Sequence, residues 1–171
     1  MELRTTIVTL IILIICIAPF ILMSRVNKNK GKRFLQLLSG LAGKNNTSIA
    51  RHDIWHHKAI GINEAGSMIF FAKKGKESDL LQEVNIADIQ RCRVINTSRT
   101  VRHNNGNINV IDKLELGFQY FDKNKGESVL EFYDAYADHA TLSVELHLAE
   151  KWCKLVNEKI GTFNKQAVAS K

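Results

Sequence analysis

The residues best suited to chemistry stand together in one short run, His52-Asp53-Ile54-Trp55-His56-His57. Two imidazoles four positions apart share a metal ion when a helix carries them, and Asp53 would then add an oxygen ligand. This run instead leads into a strand-patterned segment, where residues four apart stand about 13 Å apart along the chain. At that separation they do not meet on one ion, so the run reads as surface histidines, with Trp55 as a core or interface residue. His103, His139 and His147 are scattered, and no HExxH, GxSxG, GxGxxG or P-loop motif occurs. Asp134 and Asp138 read as the connection into a helix, with Asp138 or Thr141 as its N-cap, rather than as paired carboxylates. Cys16, Cys92 and Cys153 are odd in number and show no CxxC spacing, a pattern unlike a disulfide framework and in agreement with a reducing compartment. The expectation is a protein without catalytic residues, bound metal or cofactor. A metal-dependent membrane-bound enzyme using His52 to His57 is the rival from another class.

The elements that would position any site begin with an anchor. Thr5 to Met23, TTIVTLIILIICIAPFILM, carries no charge over nineteen residues and has the length of a transmembrane helix, after a short N-terminus of residues 1–4. No pair of small residues suited to signal cleavage stands near its end, and Ile15 before Cys16 does not suit a lipoprotein signal. The basic residues Arg25, Lys28, Lys30, Lys32 and Arg33 follow it closely. Such residues stay on the cytoplasmic side, so the chain reads as a single-pass protein of the inner (plasma) membrane with a cytoplasmic C-terminal domain. The same five residues are the candidate membrane-surface site for anionic lipid headgroups, each contributing roughly 1 kcal/mol near the surface.

Charge divides the chain in the same place. Residues 1–51 hold eight Lys or Arg against Glu2 alone, which accounts for the whole net charge of +7; from His52 onward sixteen basic residues balance sixteen acidic ones. Nucleic-acid binding needs its cations on a domain face, and here they lie beside the predicted span. No nucleic-acid partner is therefore expected.

Residues 24–47 form a basic juxtamembrane segment in which Phe34, Leu35, Leu37, Leu38 and Leu41 make one helical face. That helix lies on the membrane surface, packs on the domain as an accessory helix, or simply joins the span to the domain. Residues 48–161 then form the domain. Ala59 to Asn63 and Ser67 to Phe71 flank a hairpin loop, Leu80 to Asn85 and Gln90 to Asn96 follow as strands, and Val110 to Phe121 pairs with Ser128 to Tyr133. Thr97 to Asn109 is polar and reads as a long hairpin loop, holding Arg99, Arg102 and His103 as candidate partner contacts. Leu142 to Ile160 has the spacing of an amphipathic helix carrying Trp152, with Gly161 as its C-terminal cap and a frayed tail over residues 162–171.

Six strands in consecutive hairpins, closed by an amphipathic helix with a tryptophan, resemble the pleckstrin-homology-like fold over Asp53 to Gly161, with Ile49 to His57 as the place for a seventh strand. The resemblance implies an α+β domain: a small antiparallel β-barrel or two-sheet body capped by a C-terminal helix, with Trp152 packed into the barrel mouth. Lipid-binding members of the family hold inositol phosphates with Lys and Arg around the first hairpin loop. Here Asn63 to Ser67 contains Glu64 and no base, while Glu77 and Asp79 dilute Lys73, Lys74 and Lys76 in the next loop. Phosphoinositide binding is therefore not carried over. The expected function is a membrane-anchored binding or scaffold module facing a protein partner, with membrane-surface lipid sensing as the alternative.

Overall fold

The computed structural model describes residues 31–75, 77–103, 106–138 and 142–169. The predicted span over 5–23, and with it Arg25, Lys28, Lys30 and Thr141, lies outside the described residues. Within them no helix is long and apolar enough to cross a membrane.

Helix α1 covers residues 31–44. Phe34, Leu38, Leu41 and Ala42 recur at helical spacing and are buried, so the helix has one apolar stripe. It ends where Asn46 takes a left-handed conformation (φ 52°) and the Thr47 N–H donates to the Ala42 carbonyl at 3.0 Å. The stripe lies on the first sheet, made of β1 (Ile49–Trp55), β2 (Lys58–Asn63), β3 (Met68–Lys73) and β4 (Leu80–Asn85) in that order, all antiparallel. Of the expectations for this helix, packing on the domain is the one observed.

That packing explains why β2 is buried along its whole length. Ile60, Ile62, Ile69, Phe71 and Val84 face the main core, while Ala59, Phe70 and Ala72 face α1. Small residues on the outer face let the helix approach: a Cβ on Gly61 would stand 3.3 Å from the Leu38 side chain and 3.1 Å from that of Ile49. Gly61→Val is therefore expected to cost about 1–3 kcal/mol through overpacking, read as a lowered midpoint in urea with an unchanged slope. The β2–β3 turn has its own device. The Asn63 side-chain oxygen accepts the Ser67 and Met68 N–H groups at 2.8 and 3.0 Å, and Gly66 supplies the positive φ (68°).

The second sheet holds β5 (Ile89–His103), β6 (Gly106–Tyr120) and β7 (Glu127–Asp134). Among the described residues there are thus seven strands, the additional one being β1. The stretch 97–109 is not a loop, as its polarity suggested, but mostly strand. A two-stranded ribbon wet on both faces has no core to face, so it does not need an apolar alternation.

The two sheets do not close into a barrel. Successive residues of β7 meet successive strands of the first sheet: the Val129 carbonyl accepts Gln82 of β4 at 3.3 Å, Glu131 meets Lys73 of β3 and Lys58 of β2, and the Phe132 carbonyl accepts Trp55 Nε1 of β1 at 3.1 Å. The sheets therefore cross rather than continue each other. Where they part, between the edges of β1 and β5, helix α2 (Ser143–Ala169) fills the gap. Its Trp152 is 1% exposed and donates through Nε1 to Asp53 on β1 at 2.8 Å. Its Asn157 holds the N–H and C=O of Cys92 on β5 at 3.0 and 2.9 Å. The helix runs past Gly161 instead of ending there, because Phe163 continues the stripe of Val156 and Ile160 onto the core. One glycine in a helix interior costs only about 1 kcal/mol.

Candidate functional site

The six residues from His52 to His57 are dispersed by the fold. His52 lies on β1 beside a hollow lined by Lys151 and Leu155, and His57 borders a cleft with Lys73 and Lys74. His56 sits in the β1–β2 turn with φ 42° and puts Nε2 2.7 Å from Glu145 Oε1 in the first turn of α2. Among the described residues no three His, Cys, Asp or Glu converge as metal ligands. Trp55 belongs to the core, stacked on Phe132 with ring centroids 4.8 Å apart.

The cleft near His57 has a volume of about 760 Å³ and is also lined by Lys58, Tyr136 and Asp138. Its cations are largely committed inside the protein. Lys58 is only 1% exposed and hydrogen-bonds Asp138, with Glu131 Oε1 at 3.8 Å. Lys73 Nζ lies 2.5 Å from the same glutamate oxygen, and Lys113 Nζ stands 4.0 Å from Glu131 Oε2. Burial alone would raise the Asp138 carboxyl, but the hydrogen bonds from Lys58 and the Asp134 N–H, with the charges of Lys58 and Lys73, outweigh it and hold the carboxyl below its ordinary value of 3.8. A depressed folded value means stability that is full above the unfolded value and lost as pH falls through the folded one. The protein is accordingly expected to lose stability below about pH 4, and Asp138→Asn to flatten that acid limb in urea titrations at successive pH values.

Among the described residues, Cys92 is not poised as a nucleophile. Burial, reinforced by Cys153 beside it, pushes the Cys92 thiol far up, and the Cys153 thiol lies 3.4 Å from the Cys92 carbonyl as a hydrogen-bond donor.

The surface of greatest interest is the outer half of the β5–β6 hairpin. β7 pairs with β6 only between Lys113 and Gln119, so residues 97–103 and 106–112 stand beyond it as a two-stranded ribbon. Its base is a β-bulge. Thr97 pairs with Lys113 but Ser98 with Ile111, which leaves Asp112 as the extra residue. Asp112 is fixed by Arg99 Nε at 3.1 Å and by the Ala135 N–H on its carbonyl at 2.8 Å. Arg99 also donates to the Tyr136 hydroxyl at 3.2 Å and stands 5.8 Å from that ring's centre.

The bulge decides which face the aliphatic residues take. Ile108 and Val110 alternate in sequence with the core residues Leu114, Leu116 and Phe118, and without the extra residue they would share their side. The bulge turns them to the opposite face beside Val101, where the three are exposed by 50, 37 and 39%. Sequence reasoning missed this patch; its one signal was Asp112, a charge where the alternation asks for an apolar residue.

Of the predicted site residues, Arg99 is committed to the bulge, Arg102 is exposed on β5 and His103 ends that strand. Lys32 is exposed on α1, and Arg33 pairs with Asp79 at 2.8 Å. Arg25, Lys28 and Lys30 lie outside the described residues. Compared with known proteins, the chain matches no family model, no curated protein and no solved structure.

Proposed function

We propose that this chain is a membrane-tethered, non-catalytic binding module that presents a pleckstrin-homology-like domain to a protein partner on the cytoplasmic side of the inner membrane. The order of a four-stranded sheet, a three-stranded sheet and a C-terminal helix is compatible with that fold. The uncharged stretch 5–23 and the basic residues behind it support the tether and its direction. Contact with anionic headgroups falls to Arg25, Lys28, Lys30 and Lys32, since Arg33 is paired and the apolar face of α1 is spent on the sheet.

The observation that carries the reading is the ribbon. Val101, Ile108 and Val110 contribute nothing to the core, yet the arm bearing them is fixed at its base by Asp112, Arg99 and Tyr136. Binding residues concentrate where a rigid scaffold presents them. The test is isolation of the full chain from detergent-solubilised membranes beside a Val101→Thr, Ile108→Thr, Val110→Thr variant. The expected result is a stoichiometric partner lost at least tenfold in the variant at unchanged melting temperature. Equal retention by both would contradict the reading.

A further inference from the structure

We propose that the ribbon's partner is a second copy of this chain, added edge to edge along β6; this rests on the ribbon reading above and names its partner. The two edges of the ribbon are built differently. β5 carries Arg91, Arg93, Arg99 and Arg102 and no acid in fifteen residues; Arg93 and Arg99 are paired with Glu127 and Asp112, and Arg91 and Arg102 supply the charge along the strand. Pairing two copies along that strand would set like charges against each other, and Asn157 already occupies both backbone groups of Cys92. The β6 edge has no such defence. Beyond the end of β7 it runs Gly-Asn-Ile-Asn-Val-Ile from residue 106 to 111, without a charge or a proline.

Strand parity fixes which groups this edge offers. Both backbone groups of Cys92 point away from β6, so alternate residues of β5 do the same, and the residues between them bond β6. Following the ladder through the pairs Arg99 with Val110 and Val101 with Ile108 places Ile108 and Val110 among the residues bonded to β5. Asn107, Asn109 and Ile111 then turn their N–H and C=O groups to an edge that no strand among the described residues covers.

A twofold axis at Asn109 makes this segment complementary to itself. It pairs Asn109 with its own copy and Asn107 with Ile111, and it brings Ile108 of one copy opposite Val110 of the other. The aliphatic patches of the two copies join on one face. On the other face, Thr100 Oγ1 donates to Asn109 Oδ1 at 2.9 Å and begins a polar ladder. A pairing of about five residues per copy is reversible and depends on concentration.

Analytical ultracentrifugation of the full chain in detergent, over a range of protein concentrations, tests the proposal. The wild type is expected to show a monomer–dimer equilibrium. Asn109→Pro, which removes an outward N–H and leaves the β5 ladder intact, and Ile108→Lys, at an exposed position, are each expected to raise the dimer dissociation constant at least tenfold at unchanged melting temperature. Asn109→Cys is expected to cross-link to its copy on mild oxidation, where a cysteine at Lys123 does not, because paired Cα atoms about 5.5 Å apart suit a disulfide. A monomer at every concentration, or a dimer that survives both variants, overturns the proposal. If the chain is a monomer but another protein is lost with the threonine variant, this inference fails and the ribbon reading stands; if no ribbon-dependent partner of either kind exists, both fail.

Discussion

Trp152→Ala is expected to destabilise the domain by roughly 3–5 kcal/mol, the range for removing a fully buried large aromatic side chain. Trp152 is where α2 fills the gap between the sheets, so its loss opens a cavity under the helix. It also takes from Asp53 the indole donor at 2.8 Å, leaving that carboxylate with Lys151 at 2.7 Å. Trp152→Phe weights the two effects differently, since it removes the hydrogen bond while retaining most of the apolar filling. Urea unfolding followed through the remaining Trp55 should place the phenylalanine variant between wild type and alanine. A phenylalanine variant as unstable as the alanine one would assign the loss to the Asp53 bond instead.

Lys58→Met is expected to cost about as much, roughly 3–5 kcal/mol, for a different reason. The methionine fits a buried site, but Asp138 then loses the cation that holds its carboxyl low. Glu131 suffers less, because Lys73 remains 2.5 Å away. Replacing both partners should therefore be milder than replacing one: the Lys58→Met, Asp138→Asn variant is expected to recover at least 1 kcal/mol over the sum of the single changes. A double-mutant cycle in urea measures that coupling, and strict additivity would show that the pair does not act as a unit.

What the sequence made legible follows from where each element's instructions lie. The first-sheet hairpin between β2 and β3, the alternation of Leu114, Leu116 and Phe118, and the Trp152 stripe are local patterns with one periodicity, and they appear as read. β1 was harder to see because it is an edge strand in which only Trp55 is fully buried, so it carries little apolar alternation. The ribbon was hidden for a related reason, since a strand pair wet on both faces carries no burial signal. The end of α2 was misplaced because a glycine is a stop signal only where the apolar stripe also stops, and Phe163 extends it. The committed state of Lys58 and Lys73 depends on Glu131 and Asp138, many residues away in sequence, and no local pattern encodes such a pairing. The bulge at Asp112 is the most consequential of these features, because one extra residue moves an aliphatic pair from the core side to the surface.

Site-specific photo-cross-linking reads out whether the ribbon is the contact element. A photoreactive residue is placed at Ile108 of the full chain in its native host cell, with the same residue at Phe121 as a control, since Phe121 is equally exposed (53%) but lies outside the ribbon. The expected result is a discrete adduct from Ile108, a homodimer or a heterologous complex, and none of comparable yield from Phe121. No adduct at Ile108, or equal yields from both positions, would contradict it.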